Sequence, residues 1–516
     1  MVVVKLSSRD SVIKVDERGR LLIIPETADS ANPDRLAEPE KLVEKVAVVG
    51  AGGRTGRALV DFFGKRGIEL ILFDRRSPES LTEEFAELEQ YYCFYSWAES
   101  SDLLLEADLV IPSPGVPPDN ELIQLAHRQG IPAVSELELA YHFCPARIAA
   151  VTGTNGKTTT TRLTSRLLET GLKDKVVLAG NIGWPAISAV DEVAAGDWLV
   201  LEISSFQLAA CRDFRPDIAI FINFTADHLD WHGSLEDYRE AKGRVFLNQT
   251  REDLALINLD DPEVGRLAEE TAARILGVSS RPDSGAEAII NDDGIRIFWN
   301  GSAAGRGSQV DTRNPGENWE LLTIADEDMK LKGEHNKLNV ALAALAAREL
   351  GVSPGVIKKV VREFEADPHR LEIFYSAGGL LLVDDSKATN PPAAVEALKT
   401  CGDQRGEVII IAGGQDRGQG NRAFAREIAR RAGGVVLLGE TAVELAEELK
   451  SLNYHRFIEV ENIAEAARQG LKFLEEGKLK GVLLLSPGAP SWDMFSSYKE
   501  RGRLFQEACQ NYLAKE

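Results

Sequence analysis

The feature that most constrains this chain is a repeated pattern: an apolar run of strand length that stops on glycine or a charged residue, followed by helical periodicity. The first block opens with KVAVVGAGGRTGRALVDFFGKRGIELILFDRR. The second opens with ARIAAVTGTNGKTTTTRLTSRLLETG and continues through DWLVLEI and DIAIFINF. The third holds GLLLVDDSKATN, GEVIIIAGGQDRG, GVVLLGE and GVLLLSPGAPS. Continuous apolar runs bounded by turns suit strands buried on both faces, as parallel sheets covered by helices require. The pattern predicts an α/β fold whose ligands gather where strands end.

The 516 residues suggest three domains at roughly 150 residues each. The expected divisions are 1–44, 45–145, 146–366 and 367–516. In the first of these, VIKV and LLII flank DERGR, which predicts a hairpin around Gly19. The polar, proline-containing ETADSANPDRLAEPEKLVEK reads as a linker.

Charge narrows the partners. A net charge of −22 repels nucleic acid and anionic membranes, so neither is expected as a partner. It repels nucleotides too, so a phosphate site must be built locally from amides, cations and metal ions. No run reaches the roughly 18 apolar residues of a membrane helix, and MVVVKLSSRDSV lacks signal-peptide organisation. A cytoplasmic location is expected. The five cysteines, Cys93, Cys144, Cys211, Cys401 and Cys509, are scattered without a CxxC, which argues against a disulfide framework or zinc site.

AVTGTNGKTTTT places Gly156-Lys157-Thr158 after an apolar strand, with Val151 where the general GxxxxGK[ST] pattern has its first glycine. A helix starting there points free N–H groups at an anion. Lys157 adds a point charge for the outer phosphates, and the Thr158 hydroxyl suits Mg²⁺. The competing reading is a Thr/Gly-rich turn with a chance lysine. Glu202 closes the strand DWLVLE, where a Mg²⁺ ligand or an ordinary solvated strand end would sit. Asp227, His228, Asp230 and His232 follow another buried strand, and Ser234 and Asp237 can cap the next helix. Lys242, on that helix, reads by itself as a solvated residue. In the first block, GAGGRTG with Asp74 about twenty residues on is a dinucleotide cue, weak because it reports only a helix N-terminus near an anion.

TGTNGKTTT, GNIGWP, LEISSFQL, NFTADHLDWHGSLEDYREAK and LKGEHNKLNVALA occur in that order. HRLE, DDSKATN, AGGQDRG and LLSPGAPSWDMFSSYKERG continue the series. From about Lys45 to Phe505 the chain resembles the Mur ligases, and the last four segments resemble their glutamate-adding members. The resemblance implies a Rossmann-like UDP-binding domain, a central P-loop ATPase-type domain and a C-terminal Rossmann-like domain that binds glutamate. It implies a monomer that uses ATP, two Mg²⁺ ions and a carbamylated lysine. The implied substrates are UDP-N-acetylmuramoyl-L-alanine and D-glutamate, joined through an acyl phosphate during peptidoglycan precursor synthesis.

Residue by residue, the resemblance implies that Gly153, Thr154, Asn155, Gly156, Lys157, Thr158 and Thr159 cradle the ATP phosphates. Asn336 and Asn339 lie near the base, Arg370 reaches the phosphates, Asp385 holds the ribose and Lys387 approaches the γ-phosphate. Thr158 and Glu202 ligate one Mg²⁺, while His228 and the Lys242 carbamate ligate the second. Asn181 contacts the muramoyl substrate, and Ser204 is a further substrate-binding residue. Thr55, Asp74, Arg76, Ser113 and Gly115 hold its UDP part, although Gly50-x-Gly52-x-x-x-Gly56 carries an extra residue beside Arg54. Thr389, Arg417, Ser491 and Tyr498 receive glutamate; an arginine fork suits a carboxylate. Another Mur or folylpolyglutamate-type ligase, or an L-glutamate-adding variant, is the alternative within this superfamily. An NAD-dependent oxidoreductase would leave the phosphate loop, Glu202 and His228 unexplained, and a non-catalytic binding protein would not need a competent residue at every catalytic position.

Overall fold

The apolar runs become strands, and most pair in parallel. The structure, a computed structural model, describes residues 11–16, 19–25, 41–81, 85–86, 88, 95–98, 100–299, 320–331, 333–365, 367–402, 407–417, 420–475 and 480–514. Tyr95–Trp97, Glu69–Phe73, Lys45–Val49 and Leu109–Pro112 lie side by side in that order, all parallel. Helix Arg54–Gly64 follows the glycine turn and buries Leu59, Phe62 and Phe63 against this sheet.

The expected hairpin is present. Ser11–Val15 pairs antiparallel with Leu21–Pro25, and Gly19 turns the chain at φ 75°. The expected linker needs a correction at its end. Lys41–Leu42 form a third strand against Leu22 and Ile23, while residues 26–40 of that segment lie outside the described residues. Nor is the hairpin a loose appendage: Leu21, Ile23 and Val43 share one core with Val46, Phe62 and Leu137.

The central sheet runs Glu320–Ala325, Gly294–Trp299, Ala288–Asn291, Arg274–Ser279, Leu254–Asn258, Ile218–Phe221, Arg147–Thr152, Trp198–Glu202, Val176–Gly180. The chain leaves Arg147–Thr152, travels to the Val176–Gly180 edge, returns beside its start, then crosses to Ile218–Phe221 on the other side. The winding therefore reverses at Arg147–Thr152, which opens a crevice at its carboxyl end. Helix Glu334–Glu349 packs along helix Lys157–Gly171, and its buried Ala341, Ala343, Ala344, Ala346 and Ala347 suit a close helix–helix approach.

In the third domain Glu372–Ala377 pairs antiparallel with Leu380–Asp384, and Gly481–Leu485, Val408–Ala412, Gly434–Leu437 and Phe457–Glu459 extend the sheet in parallel. Among the described residues no helix is long and apolar enough to cross a membrane.

Candidate active site

Strand Arg147–Thr152 ends in Gly153, and helix Lys157–Gly171 begins after Gly156, which caps it in the left-handed region at φ 86°. Asn223, beyond the neighbouring strand, fixes the loop between them. Its Oδ1 accepts the N–H groups of Thr154 and Asn155 at 3.1 and 2.9 Å, and its Nδ2 donates to Asn155 O. Thr154 Oγ1 lies 3.1 Å from Tyr238 OH. From the opposite helix Asn339 presses on the loop: a Cβ at Gly156 would lie 2.4 Å from its Oδ1. Asn339 also receives Thr160 Oγ1 and donates to Asn336 Oδ1, and both asparagines are buried. Thr158 and Thr159 stand in the first turn of the helix.

Two lysines meet behind this loop. Lys157 Nζ donates to the carbonyls of Gly153 and Thr154, and Lys242 Nζ donates to Gly153 O at 2.6 Å. Lys242, 1% exposed, is not the solvated helix residue its position alone suggests. Burial pushes its pKa well below the ordinary lysine value, Lys157 pushes it further, and Asp227 and Glu202 pull it back. Burial also lowers Lys157, against the same two carboxylates.

Glu202 ends its strand pointing inward, 2% exposed. Asn181 Nδ2 donates to its Oε1 at 2.8 Å, while Oε2 is buried without a hydrogen-bond partner among the described residues. A buried carboxylate oxygen left free at the end of a strand suits a hard divalent cation. His228 sits at φ 54° at the start of a short helix. Its Nδ1 lies 3.2 Å from Arg417 Nη1, its Nε2 lies 3.7 Å from Asp227 Oδ2, and the Phe206 ring packs against it. Burial lowers its pKa, so the ring favours the neutral form that binds metals. His232, held down to about 3 by burial, is hydrogen-bonded to Ser205 instead.

The third domain closes the site. A cavity of about 770 Å³ is walled by Asn155, Gly156, Asn339 and His335 on one side and by Arg370, Asp385, Lys387 and Pro391 on the other. Arg370 Nε is buried and unpartnered among the described residues, which suits an anion. Asp385 receives Leu371 N–H and Ser486 O–H, and burial raises it to about 7 against the pull of Ser486 and Arg370. Lys387 Nζ rests on Asp367 at 3.1 Å, and Arg162 of the central domain grips the same carboxylate. Arg501, 1% exposed, donates to Ser386 Oγ and O and to the carbonyls of Ala489 and Pro490. It thereby joins the loop of Lys387 and Thr389 to that of Ser491. Tyr498 begins the final helix with its ring near Lys387, and Arg417 lies over the Trp492 ring.

The first-domain residues form a separate group. Gly56 lets the helix close down on the glycine turn before it, since a Cβ there would lie 1.9 Å from Ala51 O. Asp74 accepts Gly52 N–H at 2.7 Å and Arg76 N–H at 3.0 Å, so it folds back over the glycine turn. Ser113 Oγ donates to Gly50 O, Gly115 is exposed and Thr55 half-buried. Ser204 caps the helix after Glu202 through a reciprocal bond pair with Gln207.

The structure adds residues that the sequence did not single out. Asn390 Nδ2 donates to Asn155 Oδ1 and Asp227 Oδ2, bridging the third and central domains. His335, whose pKa burial lowers to about 4, lines the cavity beside Asn339. Asn223 carries the one available signal, a polar residue closing a buried strand.

This arrangement is that of an ATP-using ligase, and the chain belongs to the Mur ligase family. The model described as "Mur ligase MurD-like, N-terminal domain" matches residues 44–135, "Mur ligase middle domain" matches 151–347, and "Mur ligase, glutamate ligase domain" matches 369–488. The UDP-N-acetylmuramoylalanine–D-glutamate ligase of Pelotomaculum thermopropionicum is 36% identical over 465 residues, 90% of this chain and 97% of the relative. The enzyme of that name from Thermoanaerobacter pseudethanolicus is 35% identical over 472 residues, 90% of this chain and 98% of the relative. The UDP-N-acetylmuramate–alanine ligase MurC from Thermotoga maritima shares the fold at a TM-score of 0.56 and 20% identity, covering 92% of this chain and all (100%) of that one. MurF from the same organism, solved with ADP, gives 0.56 at 17% identity over 87% of this chain and 95% of its own.

Proposed function

We infer that this chain joins D-glutamate to UDP-N-acetylmuramoyl-L-alanine, converting ATP to ADP and phosphate, in the synthesis of peptidoglycan precursors. The observation that carries this is the match to D-glutamate ligases over 97% and 98% of their own lengths. In the first step a carboxylate oxygen of the alanyl group attacks the γ-phosphorus, the bond to the β-phosphate oxygen breaks, and ADP leaves. In the second step the glutamate amine attacks the acyl carbon, phosphate departs with the C–O electron pair, and the nitrogen loses a proton.

The buried groups fit those tasks. The free N–H groups at the start of helix Lys157–Gly171 and Lys157 hold the phosphates. Arg370 and Lys387 bring positive charge to the same cavity from the third domain, offsetting charge that grows on the transferring phosphoryl group. Asp367 holds Lys387 in that direction. Arg417, Thr389, Ser491 and Tyr498 receive glutamate, while Thr55, Asp74, Arg76, Ser113 and Gly115 hold the UDP end, with Asn181 and Ser204 on the muramoyl part. When bound, two Mg²⁺ ions, held by Thr158 and Glu202 and by His228 and Lys242, neutralise the crowded anions.

Lys242 takes part as its carbamate. An ammonium buried beside Lys157 is disfavoured, so the amine keeps its lone pair. That pair attacks carbon dioxide, an N–C bond forms, and a proton is released. A repelled cation becomes an anionic oxygen ligand. A cytoplasmic location completes the reading, because ATP and nucleotide-linked precursors are cytoplasmic supplies.

The test is phosphate release from ATP with UDP-N-acetylmuramoyl-L-alanine and each glutamate enantiomer in separate reactions. Turnover that needs the UDP substrate and D-glutamate together supports the reading. Turnover with L-glutamate instead, or without the UDP substrate, overturns it.

A further inference from the structure

Arg54, beside the extra residue of the first glycine turn, reaches out of its own domain. Arg54 is the first residue of helix Arg54–Gly64, after Gly53, which offers no side-chain cap. Its guanidinium crosses to the central domain and donates to Gly183 O at 2.8 Å, Asn181 O at 3.1 Å and Gly180 O at 3.4 Å. One planar fork thus grips three carbonyls, those of Gly180 at the end of strand Val176–Gly180 and of Asn181 and Gly183 in the loop before the next helix. That loop turns on Gly180 and Gly183, both at positive φ, so its path is not one that ordinary residues hold by themselves.

The gripped loop continues into the nucleotide site. Asn181 N–H donates to Glu202 O at 2.8 Å, and its carboxamide donates to Glu202 Oε1 at 2.8 Å. Those bonds leave Glu202 Oε2 as the free, buried oxygen. Hydrogen bonds therefore run from the helix N-terminus in the first domain to the carboxylate facing the phosphate loop. Beside the seam, Glu136 is 1% exposed, and its Oε1 accepts Ile187 N–H just past the gripped loop.

We propose that Arg54 is a positioning residue that straps the first domain's anion-binding turn to the Asn181 loop, so that a diphosphate at that turn tightens Mg-nucleotide binding at Glu202. The proposal rests on the UDP substrate binding inferred above. A diphosphate at the uncapped helix N-terminus fixes the backbone of Arg54 and hence the stem of its side chain. The ordering of the strap and loop, borne by the first ligand, then does not recur for the second. Linkage makes the effect reciprocal: nucleotide tightens the UDP substrate by the same factor.

Calorimetry on the full chain tests this, titrating a non-hydrolysable ATP analogue with Mg²⁺, alone and with saturating UDP-N-acetylmuramoyl-L-alanine. In the unsubstituted protein the UDP substrate should tighten the analogue by about five-fold or more, within the usual range of coupling. Arg54→Met keeps the stem and loses the donors. It should leave the analogue's own affinity unchanged while removing the enhancement, with a cooperative melting curve to show that the fold is kept. Arg54→Lys, with one point donor in place of a fork, should retain part of it. Full enhancement in Arg54→Met, or none in the unsubstituted protein despite binding of both ligands, overturns the strap alone. An unsubstituted protein that binds the analogue but not the UDP substrate overturns the functional reading and the strap with it.

Discussion

Arg417 Nη1 lies 3.2 Å from His228 Nδ1, so the third domain rests a guanidinium against an imidazole of the central domain. The Trp492 ring lies beside the same guanidinium, 5.1 Å from its carbon. The group proposed to receive a glutamate carboxylate is thus held beside a proposed metal ligand, where the incoming amino acid must meet the activated acyl group.

Replacing Arg417 should therefore weaken the amino acid selectively. A charge-assisted hydrogen bond contributes about 1.5–3 kcal/mol, which corresponds to a rise of roughly 10- to 150-fold in the KM for D-glutamate in Arg417→Ala. Steady-state kinetics should show little change in the KM for ATP. An unchanged glutamate KM would remove Arg417 from the amino-acid site.

Lys242→Ala should abolish turnover. Short carboxylic acids should restore part of it by placing an oxygen anion in the space, whereas bicarbonate should not. Carbon-13 NMR of the unsubstituted protein under labelled carbon dioxide should show one carbamate carbon that is missing from Lys242→Ala. Full activity of the variant would eliminate the carbamate.

Gly156→Ala should damage nucleotide binding and leave the rest of the fold in place. Its φ of 86° disfavours a side chain, and the new Cβ would lie 2.4 Å from Asn339 Oδ1. Left-handed strain of about 1–2 kcal/mol adds to the displacement of Asn339. Affinity for an ATP analogue should fall by about ten-fold or more, a change of 1.4 kcal/mol or greater, as read by calorimetry.

Glu136 predicts a pH dependence of stability. Burial raises its pKa from 4.5 to about 7, against the pull of Ile187 N–H and Arg54. Between those values the folded state binds more protons than the unfolded one, so the stability this group contributes is complete below pH 4.5 and is lost as pH rises through about 7. Glu136→Gln keeps an acceptor for Ile187 and cannot ionise. Melting curves should fall less steeply from pH 5 to 8 in the variant, which should be the more stable protein at pH 8 by about 1–3 kcal/mol, of the order that a shift of this size implies. Parallel pH profiles would show that Glu136 stays ionised at ordinary pH.

Strand ends and the phosphate loop were legible because their chemistry is local. A buried strand that stops on Glu202, or a glycine turn that meets Lys157, announces itself within a few residues. Lys242 reads locally as a solvated helix residue; its burial depends on where helix Leu235–Leu247 packs, which periodicity does not give. The grip of Asn339 on Gly156 joins positions 183 residues apart, and Asn390 reaches Asn155 across 235. Neither pair leaves a mark in the spacing of either segment. An extra residue beside Arg54 was visible in the spacing, but the reach of Arg54 into another domain depends on how two sheets sit together. Lys41–Leu42 escaped because two residues carry no strand period; they pair because the hairpin beside them offers an open edge.

The buried Arg501 has a consequence for timing. One guanidinium ties the loop bearing Lys387 and Thr389 to the loop bearing Ser491. The groups proposed for phosphoryl transfer and for receiving the amine are thus tied together by one buried side chain. On the proposed roles, both sets would reach the site together, and the order of the two chemical events would be left to the reactants rather than to successive movements of the protein.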